Sequence, residues 1–240
     1  SGAEVIQFMM KKASATPKGV DLINGYNYPQ LISKFAMGAV FYNQACTNYL
    51  GDKKLSSASK PNDAPYKKGA KYTGKEHVWD EAFGYWGAAA HTLTLSSKES
   101  YEVAKKKNLA AADYNKDGVV DAGTEMTYAH AYYASGFDKG GKTNYLETVT
   151  RAFLTGRETI TSANGQKLGW NGRNGGKGII KQAAIICTNW EKVIAEAVFK
   201  YAGSVYKDLE NLKENTDDAK MFGKYVKHWG ELKGFALALE

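Results

Sequence analysis

All four prolines of this 240-residue chain lie before residue 66. A proline inside a helix removes a backbone hydrogen bond and clashes with the preceding turn. The rest of the chain is therefore open to long, uninterrupted helices. The apolar residues agree, since they recur mostly with helical period and strand-like alternation is scarce. Between 28 and 50, Leu31, Ile32, Phe35, Met37, Ala39, Val40, Tyr42 and Cys46 outline a thick apolar face that Gly51-Asp52 ends. Residues 52–72, rich in Ser and Lys with Pro61, Asn62, Asp63 and Pro65, read as a long surface loop. Thr73 and Glu76 have the spacing of a capping box and open a helix expected to reach about Thr94. Further helices are expected at 98–107, 125–134, 144–162, 178–212 and 217–239. Residues 164–177 are dense in Gly and Asn but lack the Gly-Lys-Ser/Thr ending of a phosphate loop. The expected fold is all-α: one helical-bundle domain over 1–240 with a calcium-loop insertion at 108–126.

That insertion carries Asp113-Tyr114-Asn115-Lys116-Asp117-Gly118-Val119-Val120-Asp121. Side-chain oxygens fall at positions 1, 3, 5 and 9 of an EF-hand-type loop. Gly118 stands at position 6, where the chain turns sharply, and Val119 offers a backbone carbonyl at position 7. Calcium needs six to eight oxygens in a flexible cage, so Asp113, Asn115, Asp117, Val119, Asp121 and Glu125 form the candidate ligand set. One position departs from the pattern. Position 12 is Thr124, and the glutamate arrives one residue late as Glu125, which closes the site if the next helix starts later. An Asx-rich turn without an ion uses the same residue types.

The net charge is +7, yet only Arg151, Arg157 and Arg173 are arginines. Guanidinium groups dominate bidentate recognition of bases and phosphates, so the lysine bias counts against a nucleic-acid partner. A solvated lysine-rich surface, densest from Lys53 to Lys75, accounts for the charge. No apolar run of about 18 residues exists, so no transmembrane segment is expected. Cys46 and Cys187 lie in apolar helical contexts; buried free thiols and a single disulfide both fit.

The segment His77-Val78-Trp79-Asp80-Glu81-Ala82-Phe83-Gly84-Tyr85-Trp86 is dense in functional residue types. On a helix, Glu81 is the i+4 neighbour of His77 and Asp80 the i+3 neighbour. His91, fourteen residues from His77, would return to nearly the same face of a continuous helix. A partial echo, Trp-x-Glu-x-x-Gly-aromatic, recurs at Trp229-Gly230-Glu231-Leu232-Lys233-Gly234-Phe235 after His228. If the two helices faced each other, His77, Asp80, Glu81, His228 and Glu231 could form a centre suited to iron, zinc or manganese. A buried polar network without an ion, with Glu81 or Glu231 paired to Arg157 or Lys233, also fits. His130 is read as structural. No His-Glu-x-x-His or Gly-x-Ser-x-Gly motif occurs, so a non-catalytic protein is expected. A hydrolase would have to use Glu81 or Asp80 as general base.

These motifs resemble an uncharacterised family of helical bacterial envelope proteins, known only as a domain of unknown function. The features that carry the resemblance are a helix like that at 28–42, a His-x-Trp-Asp-Glu-Ala-Phe-Gly-Tyr signature, an Asp-x-Asn-x-Asp-Gly loop and a late His-Trp-x-Glu-x-Lys-Gly-Phe segment. It covers residues 25–240. It implies a periplasmic or cell-surface location, secreted or lipid-anchored, and a chain lacking an N-terminal portion. A more distant similarity is to imelysin-like helical proteins of bacterial iron uptake and their Gly-x-His-x-x-Glu motif. Here Gly74 stands one residue early, and Asp80 replaces the glutamate. The expected function is a non-catalytic cell-envelope protein with a structural calcium site and a His/Glu metal site. The alternative is a calcium-stiffened surface module; its 16 tyrosines leave room for a glycan or protein partner.

Overall fold

The structure, a computed structural model, describes residues 1–55, 60–163, 165, 166, 168, 176–214 and 218–240. Helix makes up 69 % of it and the sheet has two short strands, so the fold is all-α. No helix among the described residues is long and apolar enough to cross a membrane. The chain divides into two compact units, one of residues 1–41 with 194–240 and one of residues 42–193.

The first unit begins with α1 (Gly2–Ser14), opened by a Ser1/Glu4 capping box. A short hairpin follows, β1 (Val20–Asp21) against β2 (Tyr26–Asn27), with Val20 opposite Asn27. Asp21 holds its turn by accepting from the Asn24 backbone N–H at 3.0 Å and from Asn24 Nδ2 at 2.8 Å. Asn27 then caps α2 (Tyr28–Ala36), and Pro29 sits in the first turn, where its missing N–H costs nothing. From Met37 to Tyr49 the chain continues in π-helical geometry. The C-terminal helix α10 (Ala219–Leu237) is capped by Asp218 and packs on α2. Gly234 permits this approach, because a Cβ there would stand 2.7 Å from Lys34 Cβ and 3.0 Å from the Leu31 carbonyl. Met9, Tyr28 and Leu31 form the buried cluster beneath α1 and α2.

The second unit contains α3 (Asp52–Leu55), α4 (Gly74–Trp86), a 3-10 turn (Thr92–Thr94), α5 (Ser97–Ala104), α6 (Leu109–Ala112), α7 (Ala129–Asp138) and α8 (Tyr145–Ser162). The part of α9 (Gly176–Glu214) up to Val193 also belongs to it. Trp79, Trp86, Trp190, Phe153 and Val149 are at most 2 % exposed and fill the core. Asp138, the last residue of α7, caps α8 by accepting from the Tyr145 and Leu146 N–H groups at 2.9 and 2.6 Å. Cys46 and Cys187 form a disulfide, which decides between the two readings of the sequence.

Several elements differ from expectation, α3 among them, since it opens the stretch read as a surface loop and buries Leu55. The capping box at Thr73 and Glu76 is present, but α4 stops at Trp86, well short of Thr94. Gly87 takes a left-handed conformation (φ +83°) and its carbonyl accepts from the Tyr128 N–H at 2.7 Å, so the chain turns away. The helix expected from Glu125 starts only at Ala129. Glu125 makes a single turn back to the Asp121 carbonyl at 2.9 Å, and its side chain faces the preceding loop. Finally, α1 arises in a stretch that the apolar pattern leaves unassigned. Most of the glycine-rich segment 164–177 lies outside the described residues.

Candidate functional site: an acidic loop and the aromatic cavity beside it

The loop after α6 is shaped by its own acidic side chains. Asp113 Oδ1 accepts from the Asp117 N–H at 3.1 Å, and Oδ2 accepts from the Gly118 N–H at 3.0 Å. Asn115 Oδ1 also accepts from the Asp117 N–H at 2.9 Å, and Asp117 Oδ1 accepts from the Val119 N–H at 2.8 Å. Lys116 (φ +60°) and Gly118 (φ +84°) take left-handed conformations, which double the chain back on itself. Asp121 Oδ1 gathers the Gly123 and Thr124 N–H groups and the Thr124 hydroxyl at 2.7–2.8 Å. The Thr124 hydroxyl and these N–H groups hold its carboxyl below the usual range.

Glu125, only 5 % exposed, closes the loop from inside. Its Oε1 accepts from the Tyr114 and Asn115 N–H groups at 3.0 and 3.3 Å, and its Oε2 from the Asp121 N–H at 2.8 Å. The donor set suits a hard cation, since every side chain offers oxygen and the Asp113 and Asp117 oxygens, Asp121 Oδ2 and Glu125 Oε2 keep acceptor capacity, whereas Asp121 Oδ1 and Glu125 Oε1 are already filled by their donors. Among the described residues, no three His, Cys, Asp or Glu side chains are grouped closely enough to hold a metal ion. An ion here would therefore draw on Asn115 Oδ1 and backbone carbonyls such as that of Val119, and would pull the carboxylates together.

The histidine stripe is broken up. His77 Nε2 lies 3.5 Å from Glu81 Oε1, and its ring stacks on Tyr66 at 3.8 Å. Asp80 turns to Arg157 instead, 2.8 Å from Nε, while Arg157 Nη1 lies 2.7 Å from Glu76 Oε1. Arg157 thus pairs with Glu76 and Asp80, where the sequence suggested Glu81 or Glu231. Burial raises the Asp80 carboxyl against the pull of Arg157. Burial also pushes Glu76 upward, but the Thr73 N–H, Arg157 and Thr161 outweigh it and leave Glu76 below its ordinary value. Because α4 ends at Trp86, His91 leaves the stripe, and its Nε2 meets the Ala111 carbonyl at 3.0 Å.

His228 and Glu231 belong to the other unit. His228 Nδ1 lies 2.5 Å from Oδ2 of Asp208, a residue 3 % exposed, whose Oδ1 is 3.2 Å from Lys224 Nζ. Glu231 Oε1 accepts from the Tyr201 hydroxyl at 3.1 Å. The repeated Trp-x-Glu-x-x-Gly spacing hides different environments, because Gly234 is packed whereas a Cβ on Gly84 would meet nothing within 4 Å.

Sequence reasoning missed three features. Asp208 is the partner of His228, twenty residues before it, and no motif marks it. Lys75 is buried, donates to the Lys54 carbonyl at 2.6 Å, and has its ammonium lowered by burial to about 8. The third is a cavity of about 430 Å³ bordered by α4, the Thr92–Thr94 turn and α8. Trp79, Phe83 and Phe153 line it from α4 and α8, and Tyr114 and His91 line it from the loop side. Tyr114, at position 2 of the acidic loop, stacks on His91 with ring centroids 4.9 Å apart.

An all-α chain with an acidic, EF-hand-like loop beside an aromatic cavity is the class these features define. The chain belongs to the family described as Domain of unknown function (DUF4856), whose family model matches residues 20–234. No curated protein matches the chain. No solved structure matches it.

Proposed function

We propose that this protein is a non-catalytic cell-envelope module whose 113–125 loop binds calcium and, so stiffened, presents a surface for a partner. The observation that carries this reading is the double acceptance by Asp113 of the Asp117 and Gly118 N–H groups. With left-handed Lys116 and Gly118, it supports a loop already wound as a cation loop requires. The disulfide supports an oxidising compartment, in keeping with the resemblance of the His-x-Trp-Asp-Glu-Ala-Phe-Gly-Tyr segment to envelope proteins. A glycan or a protein is the partner that a tyrosine-rich surface would suit.

The test is thermal unfolding with calcium and with a chelator. A ligand at a hundred times its Kd stabilises the native state by about 2.7 kcal/mol. Wild type should melt several degrees higher in calcium, and Asp113→Ala or Asp117→Ala should erase the difference. A wild type indifferent to calcium overturns the reading.

A second reading, transition-metal capture related to imelysin-like iron uptake, rests on the Asp208–His228 contact. A carboxylate on Nδ1 fixes the tautomer and leaves Nε2 as a ligand, as in many metal sites. His77 with Glu81 would be the other candidate pair. Elemental analysis of untagged protein decides: about one equivalent of iron, zinc or manganese, lost in His228→Ala or His77→Ala, supports capture, and calcium alone rejects it.

A further inference from the structure

We infer that the first unit holds a binding site for a small organic carboxylate with an apolar body, in the cavity between α1, the β1–β2 hairpin and the start of α2. The cavity measures about 610 Å³, within the range of small-molecule sites, and every residue that lines it belongs to this unit.

The apolar lining gives the body of the ligand. Met9 and Leu31, at 6 % and 3 % exposed, belong to the buried cluster of the unit and line the cavity. The Tyr26 and Tyr28 rings stack with centroids 5.7 Å apart, and Phe8, 59 % exposed, adds a third ring from α1. Apolar and aromatic walls of this kind take up a ring or a short aliphatic chain.

Polar groups give the head. Tyr28 is 7 % exposed, and its hydroxyl makes no hydrogen bond among the described residues, yet it is not sealed from solvent. Burial raises its pKa, as do Asp21 and Tyr26, which also line the cavity, so the hydroxyl keeps its proton and can donate. A mostly buried donor without an acceptor is costly, and a carboxylate oxygen would satisfy it.

Charge gives the head its sign. The charged groups that line the cavity are Lys12, Lys233 and Asp21. Neither lysine has an ion-pair partner among the described residues, and Lys12 Nζ lies 5.6 Å from the centroid of the Phe8 ring. Asp21 is occupied by its own turn, since each of its oxygens accepts from Asn24, at 3.0 and 2.8 Å. Those bonds hold its carboxyl below the ordinary range, and Lys12 adds to the effect from beyond ion-pair distance. Two ammonium groups against one carboxylate leave one positive charge, which favours a monoanion over a neutral or cationic head. A carboxylate fits, with one oxygen for the Tyr28 hydroxyl and one for an ammonium.

The experiment is calorimetric titration of the full chain with hydrocinnamate, its uncharged amide and the corresponding amine, phenylpropylamine. The carboxylate should bind at least about tenfold more tightly than the amide, and the amine more weakly than both. Tyr28→Phe keeps the ring and removes the hydroxyl, and should weaken the carboxylate about tenfold at an unchanged melting temperature. Lys12→Met/Lys233→Met keeps the apolar stems and should bring the carboxylate down to the affinity of the amide. Ala15→Trp, at an exposed residue of the cavity wall, should abolish binding of all three without touching the core. No detectable binding of the carboxylate, equal affinity for carboxylate and amide, or unaltered carboxylate binding in Tyr28→Phe or in Ala15→Trp overturns the site. A preference for the carboxylate that survives the loss of both lysines overturns the assignment of its charge to them.

Discussion

The indole of Trp79 lies directly over the bare Cα of Gly156, and its Nε1 donates to the Phe153 carbonyl at 2.8 Å on the same helix. A Cβ on residue 156 would overlap the six-membered ring of the indole. Gly156→Ala should therefore destabilise the second unit by about 1–3 kcal/mol through overpacking, although alanine is the better helix former by about 1 kcal/mol. Urea unfolding measures the net effect. A midpoint at or above that of wild type would mean that α4 and α8 separate without loss.

The Cys46–Cys187 bridge closes a loop with a sequence separation of 141. A cross-link over so long a span restricts the unfolded chain strongly, and typical native bridges contribute about 2–4 kcal/mol. The double variant Cys46→Ala/Cys187→Ala should lose stability of that order. Added reductant should lower the urea midpoint of wild type and leave that of the variant unchanged. A wild-type midpoint insensitive to reductant would show that the bridge does not form in solution.

Glu125 and Asp117 should separate the ion from the loop's own architecture. Glu125 is buried and receives three backbone N–H groups. Glu125→Ala leaves those donors unmatched and should cost about 1–3 kcal/mol even in chelator. Asp117 sits on the exposed side and, among the described residues, receives only the Val119 N–H and the Asn115 amide. Asp117→Ala should be nearly silent in chelator and differ from wild type only when calcium is present. Equal losses in chelator would reduce the loop to a turn held by hydrogen bonds.

How far the sequence was legible follows from which interactions are local. Capping at Thr73 and Glu76, the position of Gly118 and the period of the apolar residues involve neighbours in the chain, and each appears in the structure as its spacing implies. The end of α4 was not legible, because Gly87 becomes a stop through a contact with Tyr128, forty-one residues on. For the same reason His91 could be set on the wrong face: fourteen residues of helical period mean nothing once the helix ends at Trp86. Arg157 was foreseen in an ion pair, but its partners are fixed by how α8 lies against α4, and this selects Glu76 and Asp80. The cavity left no trace in the spacing, since its walls come from four separate stretches. Only Tyr114, an aromatic residue inside an acidic loop, was a signal that could have been followed.

His130 supplies the pH dependence. It is fully buried on α7, its ring packs edge-on to that of Trp190 at 5.5 Å, and neither ring nitrogen has a partner among the described residues. Burial lowers its pKa from 6.5 to about 3. In that window the unfolded chain holds a proton that the folded chain does not, so stability rises with pH. The contribution is complete above about pH 6.5, and it is lost progressively as the pH falls towards about 3, where the folded form also protonates. The slope reaches about 1.4 kcal/mol per pH unit, so wild type should lose about 2 kcal/mol between pH 7 and pH 5 from this residue alone. His130→Leu removes the titrating group and keeps an apolar side chain in the core. Urea midpoints at the two pH values should show wild type falling by that margin more than the variant. Equal falls would mean that His130 finds a proton partner in the folded core and does not drive the acid sensitivity of the fold.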